Sequence, residues 1–94
     1  MDEQARSTWK RLGPINLSDG EDIENGKKWV EDEKLGVYET RYTGYVNEDG
    51  EPHGWGRKEN STYVIEGQWM NGEQKGLRRL INQHNEYTID KVSI

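Results

Sequence analysis

No cysteine and no phenylalanine occur in this chain, alanine occurs once and proline twice, and no apolar run approaches the roughly 18 residues of a membrane-crossing helix. Without thiols there are no disulfides, no thiolate metal sites and no cysteine nucleophiles. The first residues, MDEQARSTWKRLG, lack the apolar stretch of a secretory signal, so the expectation is a soluble, cytoplasmic protein. Hydrophobic residues make up 30% and charged residues 33% of the 94 positions, an apolar content well below that of ordinary globular domains. A chain of this length hides only about 60 to 65% of its unfolded surface on folding, which leaves no room for a thick aliphatic core. Trp9, Trp29, Trp55, Trp69 and five tyrosines must supply much of it instead. Each ring buries about 150 to 250 Å², and rings spaced along a thin sheet suit this composition better than a helical bundle.

Positive charge is scarce as well. The formal net charge is −5, of which −4 falls on residues 1–40 (ten acidic, six basic) and −1 on residues 41–94 (eight acidic, seven basic). Such a balance disfavours nucleic acid as a partner, since affinity for phosphate backbones rests on clustered Lys and Arg.

What the chain does have is glycine at regular spacing. Tyr42-Thr43-Gly44-Tyr45-Val46-Asn47 returns as Ile65-Glu66-Gly67-Gln68-Trp69-Met70, and the pairs Gly44/Gly54 and Gly67/Gly76 recur at offsets of 23 and 22 residues. Periods of 20 to 50 residues mark stacked repeat architectures. Within each unit apolar and small residues alternate, as a strand with side chains on opposite faces requires. Asn47 to Pro52 reads as a loop, His53 to Arg57 as the returning strand, and Glu59 to Thr62 as a second turn. Asn71-Gly72 between two alternating runs is a strong hairpin signal. A last turn at 82–85 leads to a strand from Glu86 to Val92. Upstream, Trp29 to Gly36 (WVEDEKLG) overlays Trp69 to Gly76 (WMNGEQKG) without gaps, as a truncated repeat or a chance match. Val37, Tyr38, Tyr42 and Tyr45 give Leu35 to Val46 strong β propensity. Residues 1–28 are polar and broken by Gly13-Pro14, Asp19-Gly20 and Asn25-Gly26, a segment either flexible or capping, with one or two helical turns within Glu3 to Lys10. The expected fold is all-β: an antiparallel meander of stacked hairpins in a single twisted sheet over residues 29–94, preceded by an irregular or short-helical segment.

At these residues the chain resembles MORN repeats (membrane occupation and recognition nexus), whose pattern runs roughly Y-x-G-x-W-x-N-G-x-x-H-G-x-G. Tyr42, Gly44, Asn47, Gly50, His53, Gly54 and Gly56 match in the first unit, with one residue inserted before Gly50 and Val46 in place of the Trp. Gly67, Trp69, Asn71, Gly72 and Gly76 match in the second, with Ile65, Lys75 and Arg78 in place of the Tyr, His and final Gly. The resemblance covers about half the chain. It implies stacked β-hairpins used as a scaffold, associated in such proteins with membrane junctions, phosphoinositide kinases and cytoskeletal assemblies, and it implies no catalytic residues.

Candidate sites follow from both readings. His53, beside Gly54, is expected to hydrogen-bond within its hairpin, and His84 lies in a turn. Neither has the spacing of a metal ligand or a nucleophile partner, so no enzyme activity, catalytic residue, metal or cofactor is expected. Tyr42, Tyr45, Trp55, Tyr63 and Trp69 are the candidate partner-binding residues, because a short open sheet cannot cover both faces with its own chain. Their competing role is core packing, or cover by the first 28 residues. Arg57, Lys58, Lys75, Arg78 and Arg79 form the alternative, a small basic patch for a phosphoinositide membrane surface, with Arg57 and Arg79 expected close together on adjacent returning strands. Solvated charges on a sheet edge are the competing role there. The expected function is a non-catalytic scaffold that holds a protein partner or a second copy of itself.

Overall fold

A computed structural model describes residues 3–13, 15–18, 20–35, 39–82, 84 and 86–92. One helix, α1 (Glu3–Leu12), precedes six strands: β1 (Lys28–Leu35), β2 (Thr40–Val46), β3 (Pro52–Glu59), β4 (Tyr63–Met70), β5 (Glu73–Asn82) and β6 (Tyr87–Val92). The strands form one sheet in the order β1-β2-β3-β4-β5-β6, each antiparallel to its neighbour. The all-β meander expected from the glycine spacing is therefore the observed fold, with β1 extending it upstream. Asn71 and Gly72 sit at φ 49 and 88 between β4 and β5, the left-handed pair that lets a two-residue turn follow the sheet twist. Gly36, Val37 and Tyr38, expected to carry a strand toward β2, lie outside the described residues.

The gapless overlay of the two Trp-to-Gly segments does not carry into three dimensions. Trp29 to Leu35 forms a single strand with a bulge between Val30 and Glu33, whereas Trp69, Met70 and Glu73 onward flank the Asn71-Gly72 turn. The carboxylate run at 31–33 has no turn dipeptide, so the chain stays extended and takes up the surplus residue as a bulge, with Asp32 at φ 49.

Paired residues share a face of the sheet, and the two faces differ. On one face Gly44 pairs with Gly56 and Gly56 with Gly67, making a row of glycines across β2, β3 and β4. Tyr42 and Trp69 lie over this row, with ring centroids 6.1 Å apart. The Trp69 indole donates to the Gly56 carbonyl at 3.1 Å, and the Tyr42 hydroxyl donates to the Tyr45 carbonyl at 2.7 Å. A Cβ at Gly56 would overlap the Tyr42 phenol, so the absent side chain is what admits the ring.

The opposite face carries Val64 and Ile81, on which Trp9 and Leu12 of α1 pack. Three residues apart, these two fall on one side of the helix. Lys10 and Arg11 in the last turn suit the helix dipole. Gly13, at φ 74, ends the helix by donating to the Trp9 carbonyl. The chain then runs over the same face as a strap. Arg79 donates to the Gly13 carbonyl, Ile15 donates to Glu66 at 3.2 Å, and Glu21 and Gln68 exchange two hydrogen bonds of 2.9 and 2.6 Å. Further on, the Trp55 amide donates to the Asn25 side chain at 2.9 Å and Gly26 donates to the His53 carbonyl at 2.9 Å. In the described part of residues 1–28, backbone groups of Gly13, Ile15, Glu21 and Gly26 are thus bonded to residues of the sheet.

Candidate interaction surface

Two groups of rings stand apart, one buried and one open to solvent. Tyr42 and Trp69 have 0% and 2% of their surface exposed. Burial pushes the Tyr42 phenol well above its ordinary pKa, and it lowers that of Lys58, whose ammonium stands 4.8 Å over the Trp69 ring. The structure thus withdraws Tyr42 and Trp69 from any partner surface: both are core, held against glycine backbone. Tyr63 is half-buried and, by the alternation along β4, belongs to the glycine face with Ile65 and Gly67.

The second set is Trp29, Tyr45 and Trp55. Trp29 of β1 pairs with Tyr45 of β2, and their rings meet edge to face at 4.9 Å and 79°. Trp29 also lies parallel to Trp55 of β3, at 5.8 Å and 2°. The Trp55 backbone amide donates to the Asn25 side chain, and the Trp29 indole donates to Glu31 at 3.3 Å. Trp29 keeps 46% of its surface exposed, and Tyr45 and Trp55 are half-buried beside it. Between Glu21 and Glu33 stand six exposed carboxylates, Glu21, Asp22, Glu24, Glu31, Asp32 and Glu33, against Lys27 and Lys28. None of the six is in an ion pair among the described residues. Tyr45 and Trp55 were expected at such a surface. Trp29 was not singled out, because it opens a run of charged residues. Its one signal was that a tryptophan begins the first extended stretch of the chain.

The five basic residues are not gathered into a patch. Arg57 and Arg79 lie on β3 and β5 with β4 between them, so the row reads Arg57, Glu66, Arg79, a carboxylate separating the two cations. Arg79 is buried and holds Glu66 at 2.6 Å. Arg57 lies 4.5 Å over the Trp9 ring and 3.4 Å from Glu59. Arg78 pairs with Gly67, hence faces the other way, and makes two bonds to Asp90 of 2.6 and 3.2 Å. Those bonds raise the Arg78 pKa and lower that of Asp90. Lys58 shares the face of Arg78, and Lys75 lies 3.7 Å from Glu73.

Glu66 is fully buried. Desolvation raises its pKa, and the Arg79 charge, the approach of the Trp9 indole and the Ile15 amide oppose the rise. The indole does not reach hydrogen-bond geometry: Trp9 Nε1 and Glu66 Oε2 both lack a partner. This cluster ties α1 and the strap to the sheet. His53 accepts the Asn71 amide on Nδ1 at 3.1 Å, and Asn47 bonds Asn71 at 3.2 Å, so the two glycine-rich hairpins are joined at their loops. His84 is exposed. A cavity of about 490 Å³ beside the loop is lined by Glu24, Asn25, Lys27, Lys28, Glu48 and His53. Its walls mix both charges, and its one histidine already accepts an amide. Among the described residues no three His, Asp or Glu side chains converge as metal ligands, and no helix is long and apolar enough to cross a membrane.

Comparison with known proteins places the chain in no family: no protein-family profile, no curated protein and no solved structure matches it.

Proposed function

We propose that this chain is a non-catalytic, MORN-type binding scaffold that holds a protein partner against the Trp29, Tyr45 and Trp55 rings. The observation that carries this reading is the ring cluster itself. It is a pre-ordered aromatic surface, nearly half of Trp29 lies open to solvent, and the whole is built on strands rather than on a loop. Large rings locked before binding contribute area at little entropic cost, which is why Trp and Tyr dominate interface hot spots. The exposed carboxylates between Glu21 and Glu33 define the partner's chemistry as a basic protein segment, whose Lys and Arg would meet acidic side chains and ring faces together. The same carboxylates oppose an anionic lipid surface.

The test separates recognition from folding. Trp29→Ser removes an exposed ring, so the melting temperature should hold. Proteins captured from lysate by the wild type should be lost by the variant and released by raised salt, since charge attraction is screened. An unchanged captured set would overturn the reading, and so would headgroup-selective sedimentation with phosphoinositide vesicles that survives physiological salt.

A further inference from the structure

The two edges of the sheet are unlike, and the difference points to a second interaction. β1 is a guarded edge: it is bulged between Val30 and Glu33, Asp32 takes a left-handed conformation, and Glu31, Asp32 and Glu33 lie in sequence along it. Bulges and charges are the means by which edges avoid pairing. β6 has no such break. It pairs with β5 over six consecutive positions, from Gly76 with Val92 to Ile81 with Tyr87. Its outer backbone is unpaired among the described residues, and Tyr87 and Ile89 expose 51% and 53% of their surface on the face that also carries Ile81 and Arg79.

We infer that β6 is a self-association edge, and that two copies of this chain join antiparallel along it with Ile89 facing Ile89 of the second copy. Symmetry and charge select this register. A two-fold axis that brings two antiparallel edges together runs perpendicular to the sheet, so facing residues come from the same face and each register differs from the next by two positions. With Ile89 on the axis, Tyr87 faces Lys91 of the other copy and Thr88 faces Asp90. From Tyr87 to Lys91 every pair is then apolar, amphipathic or hydrogen-bonding, and at the end of the ladder Val92 faces Glu86 without a like charge. Slipping one way sets Asp90 against Asp90, and slipping the other sets Asp90 against Glu86, like charges in both cases. Asp90 is already partnered on its inner side by Arg78, so the selected register leaves no carboxylate opposed. A six-residue ladder is small for a stable interface, which places the dissociation constant on the order of tens of micromolar.

This inference is independent of the aromatic surface, because Trp29 lies at the opposite edge. Sedimentation of the full chain across two decades of concentration should show a monomer–dimer equilibrium. Ile89→Lys should weaken it at least about tenfold by setting two ammonium groups face to face, while the melt of the dilute monomer stays unchanged, the side chain being exposed. The absence of cysteine makes the register readable. Ile89→Cys alone should oxidise to a disulfide-linked dimer, whereas Tyr87→Cys should cross-link only when mixed with Lys91→Cys. Trp29→Ser should dimerise as the wild type does, which keeps the two readings apart. A monomer at every concentration, an Ile89→Lys variant that still dimerises, no preference among the cysteine positions, or species growing beyond a dimer through pairing of β6 with β1 would each overturn the inference.

Discussion

The first hairpin (β2 and β3) and the second (β4 and β5) are two solutions to one geometry. In both, the ladder slips just after the first glycine, Gly44 in one and Gly67 in the other. In both, the returning strand passes through a glycine of positive φ, 95 at Gly54 and 89 at Gly76, where a side chain would be strained. The next amide, Trp55 or Leu77, then needs an acceptor outside the regular ladder. Leu77 finds it in its own hairpin, donating to the Gln68 side chain at 2.9 Å. Tyr45 occupies the place of Gln68 in the first hairpin and has no amide to offer, so Asn25 of the strap supplies the oxygen at 2.9 Å. The strap is thus part of the first repeat and not an appendage. A second contrast is correlated in the same way. Tyr42 lies over Gly56, and the equivalent positions hold Ile65 and Arg78. A branched aliphatic side chain does not lie flat across the neighbouring strand as a phenol does, so the glycine under it is dispensable.

The largest effect should come from the charged anchor that only the second hairpin has. Glu66→Leu leaves Arg79 buried without its counter-charge and should cost about 3 to 5 kcal/mol in chemical denaturation. Glu66→Leu with Arg79→Met should recover most of that loss, because an apolar pair of similar size replaces a buried ion pair at little cost. A double variant as unstable as the single one would show that the strap, not the charge, sets the penalty.

Next comes the ring over glycine. Gly56→Ala should destabilise by about 2 to 3 kcal/mol by overpacking against Tyr42, whereas Arg78→Ala, at the equivalent place, should lose less than about 1 kcal/mol through its exposed pair with Asp90. Equal losses would erase the distinction between the two units. The smallest difference between the two hairpins should be at the two amide acceptors. Gln68→Ala removes three hydrogen bonds, one buried and two at the strap, and should cost about 2 kcal/mol, while Asn25→Ala should cost about 1 kcal/mol. Hydrogen exchange should show the Asn25 variant losing protection at Trp55 but not at Leu77. Uniform loss across both hairpins would mean that the strap stabilises the sheet globally and does not complete the first repeat.

Much of this fold was legible in the order of residues. The recurrence of glycines, the Asn71-Gly72 turn and the alternation along Tyr42 to Val46 are local signals, because strand pairing between neighbours in sequence needs only the strands and the turn that joins them. His53, expected to hydrogen-bond within its own hairpin, instead accepts the Asn71 amide of the second hairpin, a contact between units that the spacing within one unit does not encode. The candidate surface was legible only in part. Tyr45 and Trp55 were expected at it, yet Tyr42 and Trp69 proved to be core and Trp29 proved to be its most exposed ring. Alternation tells which residues share a face, but it does not tell which face the rest of the chain will cover.

By itself, then, the sequence determined the period, the order of strands and the scarcity of apolar residues that makes tryptophan and tyrosine do the packing. Tertiary structure decided that residues 15–18 and 20–26 lie as a strap across one face, that Glu66 and Arg79 are buried beneath the helix and strap, and that five basic side chains are divided between two faces. It also decided which rings remain outside. The physical reason is distance along the chain: Asn25 reaches Trp55 and Gly13 reaches Arg79 through contacts that no local spacing encodes, because they depend on where the assembled sheet offers an amide or a cation that its own ladder leaves unpaired.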